Sequence, residues 1–393
     1  MSQPITRNKN VMVLTAAQAL GGASPPIVIA LGGLVGQQLS SDPALVTLPV
    51  SMLNLGLALG TLPSAYVTRR FGRRRGYVFG ASIGVVAGIV AAFGIYLASF
   101  AVFCAGTLIA GFYAAYVQSY RFAAADAVEG PDKARAISWV MIGGLVAAII
   151  GPQLVIWTRD LFPGTPFVGS FLSQAVLALL AIPVLLLLVA KPATTKAQSS
   201  GAPTRTLMQI ILMPRYMLAV AAGTVSYGLM VFVMTAAPIA MVGHGHSVDH
   251  AALGIQWHVL AMFAPSFFTG RLMAWFGKER VTAVGLLLIG ISAGFALAGL
   301  ELFNFWVSLI LLGIGWNFGF IGATAMVTDC HTPEERGMAQ GANDFLVFGT
   351  VAIASFFAGA LLHASGWQTI NWLVFPAVAL VLVPLVWQAG RKS

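Results

Sequence analysis

Apolar residues along the chain fall in blocks about 20 long, the length that crosses a ~30 Å hydrocarbon core at 1.5 Å per helical residue. Phe171 to Ala190 is the plainest block and carries no charge. An open sheet cannot span a bilayer, and the alternating pattern of barrel strands is absent, which leaves helices. The pattern predicts an all-α membrane protein with twelve spans, near residues 10–37, 44–68, 76–98, 100–122, 135–157, 168–190, 213–243, 251–274, 281–299, 301–328, 337–363 and 368–388. The first block runs on without a small-residue cleavage site, so it reads as a retained span.

Composition agrees with this pattern. Of 393 residues, 58% are hydrophobic and 8% charged, against roughly 25% charged in a soluble domain. The expected surroundings are a lipid bilayer. The net charge of +9 is sorted by side. An even number of spans puts both termini on one face. That face receives Arg7, Lys9, Arg69, Arg70, Arg73, Arg74, Arg75, Lys133, Arg135, Lys191, Lys196, Arg205, Lys278, Arg280, Arg336, Arg391 and Lys392, while only Arg159 lies clearly opposite. The positive-inside rule makes both termini cytoplasmic. Topology accounts for the basic residues, and nothing points to nucleic acid. Cys104 falls near the outer end of the fourth span and Cys330 in an inner loop, so a disulfide between them would have to cross the membrane. No nucleophile–base pair or acidic metal cluster falls at one depth, which argues against an enzyme.

The longest polar stretch, Lys191 to Thr206, has the Pro, Ser, Gly and Lys mixture of a solvated linker. It divides the chain into an N-terminal six-helix lobe (1–190), a cytoplasmic linker (191–212) and a C-terminal six-helix lobe (213–393). The halves share a plan. Ala65-Tyr-Val-Thr-Arg-Arg-Phe-Gly72-Arg73-Arg74 follows the second span, and Gly270-Arg-Leu-Met-Ala-Trp-Phe-Gly277-Lys278-Glu279-Arg280 follows the eighth. The loops Asp126 to Arg135 and Asp329 to Arg336 correspond in the same way. On these features the chain resembles the major facilitator superfamily. The first loop is similar to that family's Gly-x-x-x-Asp-Arg-x-Gly-Arg-Arg signature, with Ala65 in place of the Gly and Arg69 in place of the Asp. Gly76, Gly80, Gly84 and Gly88 add a small-residue stripe suited to close helix contact.

Transporters of this plan bind substrate near the midplane, where soft or polar residues are few. The seventh span carries Met230-Val-Phe-Val-Met234 and the eighth His258-Val-Leu-Ala-Met262. Spacing of i, i+4 puts each pair on one helix face. By rise per residue, Met234 and His258 both lie roughly 10–14 Å from the outer end. Thioether sulfur is soft and uncharged and selects Cu(I), and imidazole also accepts copper. The competing reading is that Met fills gaps in helical packing. The outer loop adds His244, His246, Asp249 and His250, with Met241 one turn below, as a candidate capture site. Met-x-x-x-Met followed by His-x-x-x-Met resembles the CcoA-type copper importers, a bacterial branch of the superfamily. That resemblance implies a bacterial inner-membrane importer of copper, as Cu(I), with Met230, Met234, His258 and Met262 as ligands. It also implies copper chaperones on either face as partners, supply of cbb3-type cytochrome oxidase assembly, and no permanently bound cofactor.

Other residues stay open. Asp344, beside Asn343, is a candidate proton-coupling carboxylate or a solvated vestibule residue. Gln18, Asn54, Tyr116, Gln118, Tyr120, Trp316 and Asn317 are candidates to line a cavity, Arg121 to snorkel inward, and Cys330 with His331 to form an exit pair. The same branch is similar to riboflavin importers, so an importer of an organic nutrient such as riboflavin is the alternative. In that case aromatic and amide residues matter and the Met pairs are filler. A proton-coupled drug exporter ranks last, because Gly143, Gly144, Gly151 and Pro152 match the expected Gly-rich motif only in part.

Overall fold

A computed structural model describes residues 8–128, 132–189, 205–332 and 335–390, without the side chains of 132–134, 336, 337, 389 and 390. Arg7, Lys191, Lys196, Arg391, Lys392 and the linker residues 191–204 lie outside the described residues, as do the side chains of Lys133 and Arg336. Among the described residues every long element is a helix. The chain divides into two compact units, Met1–Ala193 with Pro238–Leu260, and Thr194–Ala237 with Ala261–Ser393.

The first unit opens with α1 (Lys9–Gly21) and α2 (Ser24–Leu39), two halves of one 31-residue apolar stretch. Asn8 caps α1 through the N–H groups of Asn10 and Val11, and Pro25 and Pro26 fall in the first turn of α2, where a missing N–H costs least. Then come α3 (Leu48–Phe71), α4 (Arg73–Tyr96), α5 (Phe100–Asp126), α6 (Asp132–Thr158) and α7 (Val168–Leu186). Glycines set how closely these helices approach. A Cβ on Gly80 would lie 2.5 Å from the Tyr116 ring, one on Gly84 2.5 Å from Tyr113, and one on Gly88 2.6 Å from the Phe171 carbonyl. Large rings on α5 thus rest directly on the backbone of α4.

The second unit holds α8 (Leu207–Ile211), most of α9 (Pro214–Gly243), the end of α10 (Val248–Phe263), α11 (Ser266–Phe276), α12 (Lys278–Ala298), α13 (Leu302–Thr328), α14 (Arg336–Trp372) and α15 (Val374–Gly390). α10 and α11 are together long and apolar enough for one span and meet at a bend of 43°. Apolar helix runs from Met338 to Gln388, 51 residues, or about 76 Å at 1.5 Å per residue, more than two bilayer cores. Non-helical Gly366, at φ 77° and ψ 175°, breaks α14 inside it. Among the described residues, counting the bent pair once and the long run twice gives twelve stretches long and apolar enough to cross a membrane.

Both units turn at an equivalent glycine. Gly72 has φ 84° and ψ 154°, and Gly277 has φ 88° and ψ 152°, conformations an L-residue side chain disfavours. The cation that follows docks on an acid at the end of a later helix in each unit. Arg73 pairs with Asp126 and donates to the Ala123 carbonyl at 3.3 Å. Lys278 pairs with Asp329 at 2.6 Å and donates to the Ala325 carbonyl at 3.1 Å. Arg69, standing where the signature has its acid, is exposed, and Asp126 supplies the negative charge instead. Arg215 adds contacts to Glu279 at 3.3 Å and Asp329 at 3.0 Å.

A second polar knot ties the start of the unit's chain to the loop before α14. Arg205 donates through Nε and Nη2 to the two oxygens of Glu335, at 2.9 and 2.6 Å, and through its own backbone N–H. Glu335 is only 2% exposed and also accepts from the Thr332 N–H. The Arg205 guanidinium and these backbone donors hold its carboxyl well below the usual range.

Close approach at the glycines makes a prediction. Gly88→Leu should abolish the monodisperse, detergent-solubilised protein, because its neighbours there are backbone atoms, whereas Gly294→Leu, with nothing within 4 Å, should elute as the wild type does.

Candidate functional site

The sulfur and nitrogen residues singled out in the sequence are all buried: Met230, Met234, His258 and Met262. They do not share a unit. Met230, Met234 and Met262 belong to the second, and His258 to the first. Among the described residues no three His, Cys, Asp or Glu side chains are grouped to hold a metal ion. The outer loop makes contacts of its own. His244 Nδ1 lies 2.7 Å from the Ala240 carbonyl, Asp249 forms an ion pair with Arg159 at 2.9 Å, and Met241 is buried. The rings of His246 and His250 stand edge to face with centroids 6.4 Å apart. Cys330 and His331 each have a backbone partner. The thiol donates to the Met326 carbonyl at 3.4 Å, while His331 Nδ1 lies 3.0 Å from the Thr332 carbonyl.

The second unit instead gathers aromatic rings. On α13, Trp316 and Phe320 are one turn apart and stack, with centroids 5.3 Å apart and planes 18° from parallel. Tyr227 of α9 meets both, at 5.3 and 4.9 Å, and also Phe348 of α14, at 5.9 Å. Phe263 of α10 stands edge to face with Trp316 at 6.3 Å. Tyr227, Phe320, Phe348 and Phe263 are half-buried rather than sealed in. The Trp316 indole N–H is buried without a protein acceptor, an unusual state for so strong a donor. Such a cluster suits a planar aromatic solute with polar edges. The sequence pointed to Trp316 alone. The i, i+4 spacing of Trp316 and Phe320 is a signal for Phe320, whereas Tyr227, Phe348 and Phe263 come from other helices that no spacing links to it.

Asn317, next in the chain, supports this cluster rather than lining it. Its Nδ2 donates to the Met262 carbonyl at 2.6 Å and to Ser266 Oγ at 2.7 Å, and its Oδ1 accepts from Thr269 at 2.6 Å. These bonds fall on either side of the bend between α10 and α11 and pin it to α13. Tyr116 and Tyr120 are core residues of the first unit. Gln18 and Asn54 are half-buried, Gln118 is exposed, and Arg121 lies over the Phe122 ring at 4.8 Å. Asp344 is exposed on α14 and accepts from Asn343 at 3.0 Å. A groove of about 610 Å³ between α12 and α15 is lined only by residues such as Leu287, Gly290, Phe295 and Leu382. Without a hydrogen-bonding side chain, it suits hydrocarbon and not a polar solute.

Comparison with known proteins bears directly on the substrate. The family model described as Major Facilitator Superfamily matches residues 11–300 and 221–392. The chain is 70% identical over 393 residues to "Riboflavin transporter RfnT" of Brucella anthropi, covering 100% of this chain and 99% of that one. It is 29% identical to the uncharacterized MFS-type transporter YdeG of Bacillus subtilis, over 98% of this chain and 92% of that one. In fold it is similar to a variant of the nucleoside transporter NupG, with TM-score 0.75, 16% identity and coverage of 96% and 99%. It is also similar to a partially occluded, inward-open form of the xylose transporter XylE from E. coli, with TM-score 0.74, 14% identity and coverage of 96% and 97%.

Full-length identity to a riboflavin transporter overturns the expectation of a CcoA-type copper importer. Copper as substrate, copper chaperones as partners and a part in cbb3-type oxidase assembly go with it. The physical reason is that Met at helical spacing serves packing as readily as ligation.

The Asn317 pin is testable. Asn317→Ala removes the donor to the Met262 carbonyl and to Ser266 Oγ, while Thr269 keeps the Pro265 carbonyl at 2.8 Å, and each buried loss costs about 1–3 kcal/mol. The purified variant should melt at clearly lower temperature than wild type in detergent, while Gln118→Ala, at an exposed position, should not.

Proposed function

The chain belongs to the major facilitator superfamily, and from that premise we propose that it carries riboflavin into the cell across a bacterial inner membrane. The observation that carries this reading is the 70% identity to a riboflavin transporter over the whole chain. The aromatic cluster of the second unit supports it. The isoalloxazine of riboflavin is planar, and stacking a flat heterocycle on aromatic side chains contributes about 1–3 kcal/mol per ring in comparable sites. Tyr227, Trp316 and Phe320 offer such faces, and the Trp316 N–H offers a donor for a ring carbonyl or nitrogen. Burial of much of an apolar ring with a few placed polar groups is the usual composition of a small-molecule site.

On this reading both termini are cytoplasmic, in line with the Lys and Arg bias, and transport proceeds by alternating access of the halves 1–190 and 213–393. Asp344 is the acid available for proton coupling. Copper has no part in the cycle.

The test is uptake by a riboflavin-auxotrophic bacterial host. The wild-type chain should restore growth on micromolar riboflavin, with or without a Cu(I) chelator. Trp316→Ala at normal protein level should reduce initial uptake about tenfold, the loss of one stacked ring. Asp344→Asn should remove stimulation by an inward proton gradient. Growth that depends on copper, or no rescue from well-expressed protein, would sink the reading.

A further inference from the structure

Inside the first unit, α6 and the residue just after it are tied to α10 by two side-chain pairs. Gln153 Nε2 donates to Gln256 Oε1 at 3.0 Å. Beyond it stands the ion pair of Arg159 with Asp249, at 2.9 Å. The separations match: six residues from Gln153 to Arg159, just past the end of α6, and seven along α10 correspond to about 9 and 10 Å at 1.5 Å each. Both glutamines are held in place by packing. Gly151 seats α6 against α2, since a Cβ there would lie 2.8 Å from the Ala23 carbonyl. On α10, Ala252 packs into the same apolar core as Val155 of α6. Gln256 is 8% exposed and Gln153 half-buried.

A buried carboxamide needs a partner, and here each glutamine supplies the other's. The pair is neutral, so exchanging its mutual bond for a ligand requires no desolvation of charge. What replaces it must accept from Gln153 Nε2 and donate to Gln256 Oε1 at neighbouring atoms. An imide does this, with a carbonyl on each side of one N–H, and it does so in either orientation of the two amides. Riboflavin has one such edge, on the pyrimidine ring of its isoalloxazine.

We propose that Gln153 and Gln256 are specificity-determining residues that exchange their mutual hydrogen bond for the imide edge of the transported flavin. This rests on the riboflavin reading above. It makes the outer ion pair a tie between the same helices with no part in recognition, and Arg159 therefore serves as the control.

The experiment uses the purified full chain in proteoliposomes. Competition against labelled riboflavin is measured for unlabelled riboflavin and for riboflavin methylated on the imide nitrogen. In the wild type the methylated compound should compete at least about tenfold more weakly, the effect of one lost bond and one unpaired buried acceptor. In Gln153→Leu and in Gln256→Leu, riboflavin itself should weaken about tenfold and the two competitors should become equal within about twofold. Arg159→Gln should keep the wild-type ratio. Where a Leu variant does not elute as one species in detergent, Asn at the same position draws the amide back by one methylene and carries the same expectation. A ratio that survives at both glutamine positions, equal competition in the wild type, or an equal loss in Arg159→Gln would each overturn this inference alone. Absence of riboflavin uptake by the unaltered protein would overturn the transport reading, and this one with it.

Discussion

In hydrocarbon no water takes up an unpaired N–H or C=O, so a chain this apolar must pair its backbone within itself. Helices follow from that, and so does the rest of the architecture. Lipid tails are as apolar as Leu and supply no hydrophobic drive between helices, so packing must come from close, well-shaped contact. The glycines of α4 provide it by letting the rings of Tyr113 and Tyr116 rest on backbone. Several polar residues that remain inside are paired, such as the amides of Gln153 and Gln256, the side chain of Asn317, and the buried carboxylate of Glu335 under Arg205, while the Trp316 indole N–H is an exception.

That constraint is also why much of the fold could be read from the sequence. A run of about 20 apolar residues has few alternatives to a membrane helix, and positions such as Gly72 and Gly277 mark turns because only glycine takes their φ cheaply. Finer features were less legible. The bend after Phe263 and the break at Gly366 lie inside apolar stretches, where hydropathy is blind to geometry. Arg159 finds Asp249, and Tyr227 finds Trp316 and Phe348, only through tertiary packing. No spacing within one helix announces such partners.

The copper expectation failed for an instructive reason. Met and His at i, i+4 satisfy a ligand pattern and a packing pattern equally well, and the one-dimensional sequence does not separate them. The aromatic residues carry a like ambiguity, between lining a cavity and packing. Their geometry is what the proposed reading draws on. Trp316 and Phe320 stack nearly parallel, Tyr227 closes one side, and an indole N–H waits without an acceptor. Together with 70% identity over the whole chain to a riboflavin transporter, this supports the proposal that the chain recognises a flat heterocycle rather than a soft metal.

The most direct measurement is counterflow in proteoliposomes holding only the purified chain. Vesicles loaded with unlabelled riboflavin should take up external labelled riboflavin transiently above equilibrium, and this overshoot should vanish when the internal riboflavin is left out. Counterflow needs no driving gradient, so coupling does not enter. A flat trace with riboflavin on both sides, from protein that reconstitutes in normal amount, would contradict the account, and exchange of copper in its place would restore the reading rejected above.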